Sequence, residues 1–399
     1  MVRRLSIPLV LLVVLSGHSL DSRQGPDSHH RHAADARAAT SQVNVLDVIA
    51  PKDLQVRSAA NVPRAELSWT DNVEGEAGFL IERSDDGGKT FIESARIRAN
   101  ATTFRDGMVR ADAAYSYRVR AIGPDWVTKP AAPLDVRTAA FRVFDALLYS
   151  GKPRLERMGM EGIYVAYTHE LFPGKVAAEE PHEPSVRAVA RRAAQRRQIL
   201  VLDVEHWPLD IRTSTEVEVQ SSIEKLRRMV RWARDERPHL AVGIYSMLPL
   251  RDYQAPVLYL RAVENQRDPV WASHLPTHKQ RFETWQAAND RLRPLAEEVN
   301  CVFPSLYTLF NDEDGWRKYA EANLSEARRY GKPVYAFLWP QFHDSNREFH
   351  GKHLSSDFWR MQLEVVRKGA DGVVVWGGYQ HDWNPRADWW EGTRAFLEE

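Results

Sequence analysis

Between Val143 and Gly378 seven short apolar runs alternate with long helical stretches, and few architectures can accommodate such a chain. The runs are VFDALLY (143–149), GIYVAYTH (162–169), ILVLDVEH (199–206), LAVGIYSM (240–247), CVFPSLYT (301–308), PVYAFLW (333–339) and GVVVWGG (372–378). Each is nearly continuous in apolar residues, as a strand buried on both faces must be, and too short to be a helix. Between them lie PSVRAVARRAAQRR, STEVEVQSSIEKLRRMVRWARDER, the 278–298 stretch and SSDFWRMQLEVVRKG. In the last, Ser356 is placed to cap the helix start and Gly369 to end it. Strands alternating with helices over 139–399 predict a parallel sheet wrapped by helices, closed as a TIM-type (β/α)7-8 barrel. A doubly wound open sheet gives a similar alternation, but neither GxGxxG nor GxxxxGK[ST] occurs, which argues against nucleotide binding.

Residues 44–138 read differently. AELSWTD, GFLIERS, KTFIESA and AYSYRVRA are short alternating runs broken by turn residues, the pattern of an all-β sandwich. Trp69 in LSWTDN, the FLIERSDDGGKTF hairpin and YSYRVRA resemble fibronectin type III modules over essentially this whole region. The resemblance gives Tyr115 the role of the family's corner tyrosine, which is structural, and places no chemistry here.

Ahead of the sandwich, residues 1–19 carry Arg3 and Arg4 and then an apolar run from Leu5 to Leu15. That run is too short to span a bilayer and reads as a cleaved signal peptide, so the expected location is secreted or periplasmic. Residues 20–43 are polar and small and read as a disordered linker. No later run reaches 18 apolar residues, so no membrane span is expected after cleavage. Cys301 stands alone, which excludes an internal disulfide. Lys plus Arg and Asp plus Glu are 54 each, leaving no basic excess for a nucleic-acid partner.

The chemistry is expected at the C-terminal ends of the barrel strands. There ILVL runs into Asp203 and Glu205, which share a strand face because side chains repeat every second residue. Two carboxylates so close cannot both ionise freely. One holds a proton while its partner stays charged, as glycosidic cleavage requires: an acid for the leaving oxygen and a negative group for the developing cation.

LDVEHW, VGIYSMLPLRDY (242–253), AANDRLRPLAEEVNCVFPSLY (287–307), PVYAFLWPQFHD (333–344) and GADGVVVWGG (369–378) resemble, in order and spacing, blocks of the hyaluronidases of glycoside hydrolase family 56. The resemblance covers about 199–378. It implies that Glu205 protonates the leaving oxygen and that Asp203 orients the substrate's acetamido group, the nucleophile of a retaining, substrate-assisted reaction. It further implies that Tyr245 and Tyr307 hydrogen-bond around that group and that Trp376 walls its methyl pocket. Trp207 and Phe337, in the same blocks, join the substrate-binding set. The expected substrate is an N-acetylhexosamine-containing glycan such as a hyaluronan-like polysaccharide, with no cofactor and no metal.

Three features depart from the family. Disulfides of animal members are absent, the arginine after Glu-x-Trp is missing because Pro208 follows Trp207, and Phe337 stands in place of a tyrosine. Two rival readings remain. A chitinase-like barrel also ends a strand in Asp-x-Glu, but Arg197 and Gln198 occupy positions where acidic and glycine residues are expected. A catalytically silent carbohydrate-binding or adhesion protein is the other. FHDSNREFHGKH gathers His343, Asp344, His350 and His353 at no familiar metal-ligand spacing and is expected to be a solvated rim loop. His206, His381, Asp382 and Trp383 lie near the expected mouth.

Overall fold

A computed structural model describes residues 44–398 apart from 59–64, 107–108, 110–111, 175–179, 196, 198 and 379–380. The expected signal peptide and linker lie outside the described residues. The first nine strands are β1 (Asn44–Ile49), β2 (Lys52–Ser58), β3 (Ala65–Thr70), β4 (Gly78–Ser84), β5 (Ile92–Arg98), β6 (Thr103–Asp106), β7 (Ala114–Ile122), β8 (Trp126–Lys129) and β9 (Leu134–Arg137). They form one sheet in the order β1-β8-β7-β4-β5, with β9 on β7, and a second in the order β2-β3-β6. All pairings are antiparallel except β1 with β8. One core of alternating residues fills the space between the sheets, including Leu67, Trp69, Phe79, Ile81, Tyr115, Tyr117 and Val119. The Asp-Gly-Gly turn joins β4 to β5. Gly87 and Gly88 both adopt positive φ (76° and 80°), which glycine tolerates without steric cost, while Asp86 accepts the backbone N–H groups of Lys89 and Thr90. Tyr115 is buried beneath the guanidinium of Arg83.

After Arg137 the pairing becomes parallel. The strands are β10 (Arg142–Leu147), β11 (Glu161–Gly162), β12 (Tyr164–Ala166), β13 (Ile199–Leu202), β14 (Ala241–Ile244), β15 (Tyr335–Leu338) and β16 (Gly372–Gly377). They group as β11-β10-β16-β15 and β12-β13-β14. Two connections join the groups. β11 and β12 are consecutive stretches of one passage through Ile163, pairing with β10 on one side and β13 on the other. Residues 302–308 bridge β14, through Tyr245–Phe303, to the β15 passage, through Val302–Val334, Ser305–Phe337 and Thr308–Phe342. Followed in turn, these pairings run once around a ring and return to β10. The 302–308 passage makes bridges rather than a continuous ladder because Pro304 has no N–H to donate. Its carbonyl still accepts from Phe337 N–H at 2.9 Å.

Alternate residues of every passage divide between two cores, as the twofold repeat of a strand demands. Phe144, Ala146, Ile163, Ile199, Val201, Tyr245, Cys301, Phe303, Tyr307, Tyr335, Phe337, Trp339 and Val374 pack together inside the ring. Their neighbours Val143, Leu147, Ala166, Leu200, Leu202, Val242, Ile244, Leu338, Val373 and Val375 pack outward, in the cluster that also contains the buried faces of the helices. At the strand N-terminal end, Arg142 closes the interior by pairing with Glu161 and lying over Phe144 and Tyr335. Gly243 is required on β14, since a Cβ there would come within 2.5 Å of the Phe303 ring and 2.6 Å of the Cys301 carbonyl.

The helical expectations need three corrections. The 278–298 stretch is two helices, Pro269–Asp290 and Arg293–Glu298, preceded by a further one at Gln254–Glu264. Ser355 rather than Ser356 caps Ser356–Gly369, accepting Phe358 N–H at 3.2 Å. That helix ends on Ala370 instead of turning at Gly369, because Ala370 is extended and its N–H still reaches Val366 O. Among the described residues no helix is long and apolar enough to cross a membrane.

Candidate active site

β13 ends at Leu202, but its extended course continues. Asp203 N–H donates to Ala166 O at 2.9 Å, and Tyr245 N–H donates to Leu202 O at 3.0 Å. Val204 is fully buried in the outer layer, so Asp203 and Glu205 continue the inward series of Ile199 and Val201. The next residues bend away, and Trp207 does not join them. Asp203 is partly buried and Glu205 exposed. Neither carboxylate has a side-chain hydrogen-bond partner among the described residues.

Burial, and then the charge of Glu205, push the Asp203 carboxyl from 3.8 up to about 7. The mouth of the ring therefore holds a carboxylic acid near neutral pH. Asp203 is the deeper of the pair and Glu205 the more exposed.

Tyr245 and Tyr307 face this pair. Their ring centroids are 6.1 Å apart, the Tyr245 hydroxyl shares a 3.0 Å hydrogen bond with Ser305 Oγ, and it also interacts with the Tyr307 hydroxyl. Burial raises the pKa of both phenols, and the charge of Asp203 adds to it, so both are neutral donors at any working pH. Trp376 stacks on Tyr307 at 5.7 Å and 29°, and Trp339 packs edge-on against Trp376 at 4.8 Å and 84°. Tyr167 completes the group. Its hydroxyl accepts the Trp376 indole N–H at 2.9 Å, and burial foremost, with the Asp203 charge contributing, raises its pKa.

The structure thus brings Asp203, Glu205, Tyr245, Tyr307 and Trp376 to one end of the ring. Phe337 belongs to the same interior but one layer deeper, 1% exposed, with its ring 4.9 Å from Tyr245 and 5.8 Å from Phe303. It supports Tyr245 rather than meeting a ligand. Trp207 is placed elsewhere. It is buried in the outer layer against Phe172 and beneath Lys225, so its expected substrate contact is replaced by a packing role. His206 sits beside it against Phe172.

Tyr167, Ser305, Trp339 and Gln341 were not anticipated. The signal was available in GIYVAYTH, CVFPSLYT and PVYAFLWPQF, where each residue keeps the two-residue inward alternation of its passage. Gln341 is fully buried, accepts the Trp339 indole N–H at 2.8 Å and donates to Gly351 O at 2.7 Å. Its amide also lies 3.2 Å from His381 Nε2. His381 and Asp382 line a separate cleft of about 330 Å³ with Tyr149, His353 and Trp389. Trp383 packs against Trp390. Among the described residues no group of three or more His, Cys, Asp or Glu is placed to hold a metal ion.

No family model and no curated protein matches the chain. Among solved structures it is similar to the hyaluronidase of bee venom, with 16% identity, a TM-score of 0.43 and coverage of 65% of this chain and 97% of that one. A bee venom hyaluronidase in complex with a hyaluronic acid tetramer gives 15% identity, a TM-score of 0.42, and coverage of 65% and 95%. An Fn3-like protein from Clostridium thermocellum gives 21% identity, a TM-score of 0.20, and coverage of 23% and 94%. What this chain does has to be read from its own side chains.

Proposed function

We propose that the parallel ring is a (β/α) barrel of TIM type and that the protein is a glycoside hydrolase acting on N-acetylhexosamine-containing glycans by a retaining, substrate-assisted mechanism. The observation that carries the reading is the pair of inward carboxylates at one strand end. One holds its proton to about pH 7, the other is exposed, and tyrosines and tryptophans surround both.

A sugar seated against Trp376 and Tyr307 covers Glu205, stripping its water and raising its hold on a proton. The proton of the pair then resides on Glu205, in reach of the glycosidic oxygen. Asp203, now ionised, accepts the acetamido N–H and steadies the positive charge that develops there. The acetamido carbonyl oxygen bonds to C1 as the C1–O bond breaks, and the departing oxygen takes the Glu205 proton. Water then attacks C1 while giving a proton back to Glu205, reopening the ring intermediate to acetamide and hemiacetal. Two displacements at C1 retain the anomeric configuration. The neutral phenols of Tyr245 and Tyr307 donate to the acetamido and sugar oxygens before reaction and hold the acetamido group in line with C1. Because the nucleophile belongs to the substrate, both carboxylates can sit on one strand.

The test compares wild type with Glu205→Gln on a panel of N-acetylhexosamine oligosaccharides. Wild type is expected to release reducing ends and the variant to lose at least about a hundredfold in rate while still binding. Binding without cleavage by wild type on every panel member overturns the hydrolase reading.

A further inference from the structure

His343 lies in the segment that sequence spacing set aside as a solvated loop, yet it continues the inward alternation of the β15 passage. Tyr335, Phe337 and Trp339 face the interior, and Phe342 packs in the outer layer and bridges Thr308. His343 follows with its backbone N–H on Thr308 O at 2.9 Å. Its ring centroid is 6.1 Å from Tyr307 and 6.2 Å from Trp339, so it stands on the rim of the aromatic group that surrounds the acids.

The protonation of this ring is fixed by its neighbours. Nδ1 accepts the backbone N–H of Ser345 at 3.1 Å and meets the Ser345 hydroxyl at 2.8 Å. A nitrogen that accepts from an amide carries no proton, so Nε2 bears it in the neutral ring. Burial, and then the charge of Arg251, hold the imidazole pKa below its ordinary value, against a smaller opposing effect of Asp344. The ring is therefore neutral at pH 7, with a single N–H donor. That Nε2 has no hydrogen-bond partner among the described residues, and the residue is only half-buried. An oriented, unpaired donor against Tyr307 and Trp339 is suited to a ligand oxygen.

We propose that His343 is a substrate-contact residue whose Nε2–H donates to a neutral oxygen, a hydroxyl or an acetamido carbonyl, of a hexosamine unit seated against Tyr307 and Trp339. This rests on the glycan-hydrolase reading. A neutral imidazole contributes direction without net charge, so it selects the position of an oxygen rather than attracting an anion.

The test uses the full chain in a Glu205→Gln background, which binds without turnover, and isothermal titration with two probes: a tetramer of N-acetylglucosamine and a hyaluronan tetrasaccharide. Glutamine places its amide nitrogen near the position of Nε2, whereas asparagine places its own near Nδ1. Adding His343→Asn is expected to weaken binding about tenfold, and adding His343→Gln to leave it within about threefold. Melting temperatures of the three proteins are measured alongside. The proposal is overturned if both substitutions leave affinity unchanged, or if both lower affinity and melting temperature together, which marks a packing role. If the Glu205→Gln parent binds neither probe, the hydrolase reading itself falls and this contact with it.

Discussion

Asp203→Asn should make the protein more stable at alkaline pH and leave it nearly unchanged in acid. In the folded chain the Asp203 carboxyl is pushed from 3.8 to about 7, so the native state binds this proton more tightly than the unfolded chain does. For a carboxyl raised in this way, the stability that protonation gives is fully present below the unfolded pKa and is lost as pH rises through about 7. A displacement of about three pH units, at about 1.4 kcal/mol each, corresponds to about 4 kcal/mol lost on the alkaline side. Water still reaches this partly buried group, which lowers the figure, and a gain of about 1–4 kcal/mol is expected for the uncharged isostere at pH 8. At pH 4 the two proteins should agree within about 0.5 kcal/mol. Urea is the appropriate denaturant because it leaves electrostatics unscreened, and midpoints for both proteins at pH 4 and pH 8 give the four values needed. An equal difference at both pH values, or an asparagine variant that is less stable at pH 8, would refute the buried, protonated Asp203. Stability gained by removing a working residue is the usual mark of a functional site.

Other outcomes follow from the same geometry. If the carboxylate pair must carry a proton into the reaction, kcat/KM on a glycan should fall as pH rises above about 7, and a flat profile from pH 6 to 9 would contradict it. Tyr245→Phe removes the hydroxyl bonded to Ser305 and should cost about ten- to a hundredfold in kcat with an unchanged circular dichroism spectrum. Gly243→Ala forces a Cβ against Phe303 and the Cys301 carbonyl, so a loss of about 1–3 kcal/mol in urea unfolding is expected. Trp207→Phe, in the outer layer, should lower stability by about 1–3 kcal/mol while leaving KM within about twofold.

The ring strands were readable in the sequence because a strand buried on both faces has little choice but continuous apolar residues. Where that constraint lapses, the reading weakens. Pro269–Asp290 is exposed over most of its length, so no apolar stripe marks its start, and Pro276 within it argues locally against a helix. At the site, the two-residue repeat placed Asp203 and Glu205 correctly on one face because the chain stays extended that far. The same repeat fails for Trp207, since the backbone bends after Glu205 and turns the indole into the outer layer. The raised pKa of Asp203 was not readable either, because it depends first on how residues of other passages bury that carboxyl, and no local pattern encodes that. His343 is read from sequence as part of a solvated loop because the His and Asp spacing there matches no metal-ligand pattern, although its alternation with Trp339 and Gln341 points inward.

The central claim is that the substrate's own acetamido group is the nucleophile at this carboxylate pair. It is tested most directly by measuring cleavage rates on matched oligosaccharides that carry or lack the N-acetyl group at the scissile hexosamine. The N-acetylated member should be cleaved, with retention at the new anomeric centre, and its deacetylated partner should be cleaved at least about a hundredfold more slowly. Equal rates on the two would contradict the account.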